Sequence, residues 1–372
     1  MNGRQVVAIV GIGSTEIVRS SERSLGSFAV EAARNAIADA GLTKTQIDGY
    51  TGSPGAPNAS ALNVDGLDEV SQHYMIAALG LEPRWAMDIT GMPTGMVVAA
   101  SQALTSGTCN YVLGVRAHYN PRDRKYSHSS AALAGGSDQF ILPYGAGPAG
   151  SRFALWLQRY MHDFGARLEH LFEVSASARD HAKGNPFAVW RDAPSLSLES
   201  YLASRSIFEP MCLFDADMPV TGAGAFIMTT AERARDLPNK PAYLISSANA
   251  TQPKRVFEHA GIQPSDVDVA QIYDGYAQML WSTFEQLGFC GKGEGFLFAT
   301  RARMSLTGEL PVNTFGGSLG EGRLHGMGHV REAVLQVMGR AGGRQVPDVR
   351  YSLAQVGVPE RYWTILLSPE CP

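Results

Sequence analysis

A strand, a glycine-rich turn and a small-residue helix follow one another twice in this chain, at 85–104 and at 311–338. The first copy runs Trp85 to Thr90, then Gly91-Met92-Pro93-Thr94-Gly95, then a helix from Met96 to Leu104 rich in Ala and Val. The second runs Pro311-Val312-Asn313-Thr314, then Phe315-Gly316-Gly317-Ser318, then a helix over Gly326 to Met338. Such a repeat restricts the fold to two similar α/β units. Each unit places a helix N-terminus, with its free backbone N–H groups, toward a site between the halves.

The remaining pattern is α/β throughout. Val6 to Val10 is a β-branched run expected of a strand buried on both faces. Ser24, Leu25, Phe28, Ala29, Ala32, Ala33, Ala36, Ile37 and Ala40 recur at helical spacing, and Gly41 ends that helix. Further strands are expected at Ile47 to Thr51, Tyr111 to Val115, Ala223 to Thr229, Ala242 to Ser247, Val267 to Ile272 and Tyr362 to Leu367. Helices are expected at Phe153 to Phe164, Leu171 to Lys183, Lys254 to Ala260 and Met279 to Leu287. Residues 117–150 lack periodicity and read as an excursion over the mouth of a site. The expected organisation is a first half over 1–235, with a cap excursion around 117–215, and a second half over 236–372.

Composition excludes several function classes. With 45% hydrophobic and 18% charged residues the chain is globular, and a net charge of −4 favours neither nucleic acid nor an anionic membrane. No apolar run reaches the roughly 18 residues that a membrane span needs. Cys109, Cys212, Cys290 and Cys371 are scattered without CxxC spacing, so reduced thiols in the cytoplasm are expected rather than a metal or redox pair. Gly11-Ile12-Gly13 lacks the third glycine of a dinucleotide fingerprint, because position 16 is Glu16.

Val6-Val7-Ala8-Ile9-Val10-Gly11, Tyr273-Asp274-Gly275-Tyr276, Pro311-Val312-Asn313-Thr314-Phe315-Gly316-Gly317 and Glu321-Gly322-Arg323-Leu324-His325-Gly326 together carry a family resemblance. Over nearly its full length the chain resembles the thiolase superfamily, in the branch of sterol-carrier-protein-type thiolases and lipid-transfer proteins. The resemblance implies a five-layered αβαβα fold, a homodimer and CoA-thioester ligands, with no cofactor in this chain. The family's reactive residues do not carry over. Met92 stands where the nucleophilic cysteine belongs, and a thioether cannot be deprotonated to attack an acyl carbon. Tyr273 replaces one catalytic histidine, Arg323 replaces the base of the second elbow, and no cysteine falls near 357–364. A branch of retro-aldolases within this family also lacks the cysteines. It uses tyrosines for proton transfer and pairs with a small zinc-ribbon/OB-fold protein that would hold any zinc. Tyr273 matches one of its tyrosines. Glu321 stands in the loop where the branch has its second.

A retro-aldol cleavage needs a proton acceptor for the β-hydroxyl, a donor for the thioester enolate and a proton for the α-carbon. Tyr273 is the candidate acid/base, against the alternative of a core tyrosine satisfied locally. Glu321 is either a base raised by burial or a carboxylate favouring a helix N-terminus. His325 is a candidate proton shuttle. His325 and His329, four apart, would share one helix face, but no third ligand accompanies them and no metal site is expected. Arg323 reads as an oxyanion or CoA-phosphate partner, or as a surface charge. Met92, Gly95, Asp274 and Asn313 are placed around the substrate. Gly316 and Gly317 would let backbone approach the thioester oxygen. The leading function is retro-aldol cleavage of a β-hydroxyacyl-CoA with a bulky, steroid-like side chain. The rivals are a non-catalytic scaffold in a multi-subunit acyltransferase, and an acyltransferase with a displaced cysteine such as Cys290.

Overall fold

The computed structural model describes residues 5–54, 64–89, 92–120, 139–147, 149–358 and 361–372. The first part of the chain forms β1 (Val7–Ser14), α1 (Leu25–Asp39), β2 (Gly49–Gly52), α2 (Gln72–Leu79), β3 (Trp85–Asp88), α3 (Pro93–Thr105) and β4 (Tyr111–His118). Then come α4 (Ala149–Phe164), α5 (Leu168–Ala182), α6 (Leu198–Leu202), a hairpin of β5 (Ser206–Phe208) and β6 (Met211–Cys212), and β7 (Gly222–Thr230). A short α7 (Ala231–Ala234) leads into β8 (Ala242–Asn249), α8 (Arg255–Ala260), β9 (Val269–Ile272) and α9 (Met279–Leu287). The chain closes with α10 (Gly295–Phe298), α11 (Arg301–Met304), α12 (Gly317–Gly320), α13 (Met327–Met338), β10 (Ser352–Val358) and β11 (Arg361–Ser368).

Nine of these strands form one sheet, ordered β3-β2-β4-β7-β1-β8-β11-β10-β9. The halves meet where β1 pairs with β8, Ala8 opposite Tyr243 and Ile9 opposite Ala242. Outward from that join the two sides match. β1, β7 and β4 alternate antiparallel, as do β8, β11 and β10. β2 and then β3 add in parallel on one side, and β9 and a parallel bridge to Val312 on the other. The duplicated pattern in the sequence is thus a duplicated topology.

Helices α3 and α13 touch each other, and each touches strands of both halves. They form the middle of five layers. α1 covers the first half of the sheet from outside, and α8 covers the second. Ala29, Ala32, Ala33 and Ala36 make the inner face of α1, which brings the helix axis close to the sheet. Gly11 and Gly13 belong to that contact. A Cβ on Gly13 would sit 2.0 Å from the Ala32 carbonyl oxygen, so these glycines serve helix packing. Among the described residues, no helix is long and apolar enough to cross a membrane.

Several boundaries differ from expectation. α3 begins at Pro93 rather than Met96, because a proline in the first turn presets φ and its missing N–H is no loss. α4 begins at Ala149, not Phe153, and α5 at Leu168, not Leu171. β10 was not anticipated, since its Gln355 and Gly357 interrupt the apolar run. β4 extends three residues past Val115, to His118, and carries Arg116 into the interior. Of the excursion over 117–150, residues 121–138 and 148 lie outside the described residues, as do Thr90 and Gly91 of the first elbow.

Candidate active site

The second elbow is held by its own carboxylate. Asp274 accepts hydrogen bonds from the Ser318 N–H at 2.7 Å and the Leu319 N–H at 3.3 Å, at the start of α12. His329 donates to Asp274 from Nε2 at 3.0 Å. Gly317 makes this possible. Its φ is +63, and a Cβ there would lie 2.0 Å from the Asp274 carboxylate. Gly316, with φ +103, faces Ala182 of α5. The two glycines therefore accommodate the protein's own groups, and the Ser318 and Leu319 N–H groups face Asp274 instead of a thioester.

Asn313 also works on the chain itself. Its side chain accepts from the Ile272 N–H at 2.7 Å and donates to the Ile272 carbonyl at 2.8 Å. This mimics one more strand rung beside β9, and it fixes the residue immediately before Tyr273. Glu321 is buried against Arg331, with Asn185 donating to it at 2.7 Å. Among the described residues, no hydrogen bond or ion pair joins Glu321 to Tyr273 or His325. Gly95 faces the Trp363 ring, 3.2 Å from where a Cβ would stand.

Tyr273, Arg323 and His325 do come together. Tyr273 is 3% exposed, and its ring centroid lies 6.3 Å from that of His325 and 5.7 Å from that of His329. Burial, then Asp217 and Asp274, hold its phenol well above the usual range, so it is protonated at working pH. His325 does not share a helix face with His329. It precedes α13 in a left-handed conformation, φ +54, which turns its ring back toward β4. There the Nη2 of Arg116 donates to its Nδ1 at 2.7 Å. That bond assigns the neutral tautomer with the proton on Nε2. Burial and the charges of Arg116 and Arg323 keep the ring neutral, far below its ordinary pKa.

Three further residues belong to this cluster and were missed in the sequence. His118 donates from Nδ1 to the Val220 carbonyl at 2.9 Å and accepts at Nε2 from Arg323 Nη2 at 3.1 Å. Arg323 faces Asp217, Nε to Oδ2 at 3.6 Å, and burial lowers its pKa to about 9. Arg116 is lowered to about 10, again by burial. Burial, and then Asp274, push Asp217 well above the carboxylate range. Arg116 and His118 lie two apart on β4, hence on one face, just beyond the apolar run that ends at Val115.

Met92 is the residue before the first turn of α3, packed on the same central cluster as Tyr273. Its thioether stands at a helix N-terminus and offers no thiolate. Cys290, the displaced candidate, packs on a different cluster, built from α4, α5 and α9, and burial, then Glu285 and Glu294, push its thiol up to about 12. All four cysteines are free thiols.

Two matched elbows on a five-layered α/β fold define a protein of the thiolase-fold class. A family profile described as "Thiolase C-terminal domain-like" matches residues 230–359. The chain is 31% identical to the 17-hydroxy-3-oxo-4-pregnene-20-carboxyl-CoA lyase of Mycobacterium tuberculosis, over 95% of this chain and 97% of that protein. It is likewise 31% identical to a steroid side-chain-cleaving aldolase of Thermomonospora curvata, over 95% of each chain. A solved Ltp2-ChsH2(DUF35) aldolase superposes with a TM-score of 0.87 at 30% identity, covering 98% of both chains. The chain belongs to the thiolase superfamily, in its sterol-carrier-protein-type branch.

Proposed function

We propose that this protein is an aldolase-type lyase that cleaves the Cα–Cβ bond of a β-hydroxyacyl-CoA with a bulky, steroid-like side chain, working as a homodimer with a small zinc-ribbon/OB-fold acyl-CoA-binding subunit. The observation that carries this reading is the replacement at the central site: a buried phenol beside a neutral imidazole, with Met92 where a thiolate would be needed. The full-length likeness to two steroid side-chain lyases supports the substrate class, and the likeness to an aldolase solved with a second subunit supports the partner.

The chemistry follows from the two protonation states. As Cα–Cβ breaks, its electron pair enters the thioester as an enolate, and the β-hydroxyl becomes a carbonyl by losing its proton. The neutral phenol delivers its proton to Cα in the same step in which it accepts the β-hydroxyl proton, so negative charge builds on the thioester oxygen only in the transition state and one residue balances both transfers. The Nε2–H of His325 is a ready donor to the thioester oxygen. Glu321, engaged with Arg331, supports the elbow, and the assisting role falls to His325.

The test is co-expression with the small zinc-binding protein and an assay for aldehyde or ketone release across a panel of β-hydroxyacyl-CoAs. Release from bulky members supports the reading. No product across the panel, with the complex formed, favours a non-catalytic scaffold.

A further inference from the structure

Arg116 is used by none of the proton chemistry above. It lies on β4, is 1% exposed, and among the described residues makes one hydrogen bond, from Nη2 to His325. Its Nε and Nη1 find no partner among the described residues. The other buried arginines nearby are matched: Arg323 faces Asp217, Arg331 faces Glu321 and Arg344 faces Glu332. No carboxylate forms an ion pair with Arg116 among the described residues. A guanidinium buried without a counter-ion is a standing cost to the fold. The packing around it is also specific. Gly224 of β7 stands opposite Arg116, and a Cβ there would lie 2.6 Å from Cγ of Met327. Glycine thus lets Met327, at the start of α13 and two residues past His325, pack down onto β7 beside Arg116.

We propose that the missing counter-ion is the substrate's own oxyanion: Arg116, with the Nε2–H of His325 beside it, stabilises the thioester enolate. This rests on the aldolase reading. When Cα–Cβ breaks, its electron pair places negative charge on the thioester oxygen, and Arg116 and His325 donate hydrogen bonds to it. When Cα is protonated that charge vanishes. Arg116 gains and loses no proton, so the step balances. The two roles of Arg116 reinforce each other, because the bond to Nδ1 also fixes the His325 tautomer that can donate.

The experiment compares the full chain with Arg116→Met and Arg116→Lys, alone and with its small subunit. Cleavage of a β-hydroxyacyl-CoA is measured together with exchange of the α-protons of butyryl-CoA in D2O, a reaction that needs the enolate but no β-hydroxyl. Arg116→Met lowers kcat and exchange by about 10²–10³-fold with little change in KM, because the charge appears only in the transition state. Arg116→Lys keeps the charge without the fork and loses less. Nitrogen NMR of His325 shows the fixed Nε2–H tautomer in the parent and its loss in Arg116→Met. Tm of Arg116→Met stays level or rises, since an uncompensated buried charge is removed. Parental kcat and exchange in Arg116→Met overturn the proposal. So does a fall in Tm with parallel losses in kcat and KM, which marks a structural role. If the parent exchanges but does not cleave, the aldolase reading fails, and exchange by Arg116→Met alone decides the role of Arg116. A parent inert in both assays overturns the two together.

Discussion

Replacing Tyr273 with Phe separates chemistry from folding. The ring packs against His325 and His329, and Phe keeps those contacts. The hydroxyl makes no hydrogen bond to a described residue, so its removal strands no buried partner. The change in stability is therefore within about 1 kcal/mol, in either direction. The catalytic loss is of another size. A positioned proton donor and acceptor contributes about 10²–10⁴-fold, or about 2.7–5.5 kcal/mol of barrier. The assay is kcat for release of the carbonyl product, with Tm and ligand affinity measured on the same preparation. The expected result is a loss of two or more decades in kcat with Tm and affinity near the parent. A variant that still cleaves at the parental rate refutes proton transfer by Tyr273. A variant that loses activity and several degrees of Tm together refutes the claim that the hydroxyl has no structural task.

Other perturbations follow from the same geometry. Gly317→Ala forces a Cβ into the Asp274 carboxylate at a positive φ, and should cost about 2–4 kcal/mol in urea unfolding, with the elbow lost first; parental stability would contradict the contact. Glu321→Gln leaves Arg331 buried without its partner and should destabilise by about 3–5 kcal/mol, while Glu321→Met with Arg331→Met recovers much of it. A Glu321→Gln variant of normal stability and no activity would return Glu321 to the chemistry. Stability should also fall in acid. His118 and His325 have folded pKa values well below 6.5, so above 6.5 both states are neutral, and below it only the unfolded chain takes up the protons. Each histidine contributes up to ~1.4 kcal/mol per pH unit in that window. Asp217, raised in the folded state, takes up its proton before the unfolded chain does and offsets part of the fall. A urea midpoint that stays flat as the pH is lowered from neutrality would contradict the buried neutral histidines. Cys290→Ser should leave cleavage unchanged, and a large loss would revive a thiol mechanism.

The architecture was legible because it is written in local patterns repeated twice: strand runs, glycine elbows and the alanine face of α1. The central pair Tyr273 and His325 was legible because both lie in motifs. What was not legible came from long-range contacts. Arg116 and His118 sit on a strand that looked finished at Val115, and only the fold brings them against His325 and Arg323. Glu321 read as a base from its place in the elbow, but its partner Arg331 lies ten residues on, across a turn that sequence periodicity does not resolve. Gly316 and Gly317 announced a close approach correctly. They could not announce that the approaching groups are Ala182 and Asp274.

The join of β1 to β8 has a consequence for how such a protein can change. Arg116 and His118 come from one half, and Tyr273, Arg323 and His325 from the other. The buried polar cluster is therefore assembled across the join, and a substitution on one side alters the surroundings of residues on the other. Duplication also leaves two helix N-termini where one reaction needs a single nucleophile. Met92 leaves the first of them without a nucleophile while still packing on the core that joins the two halves.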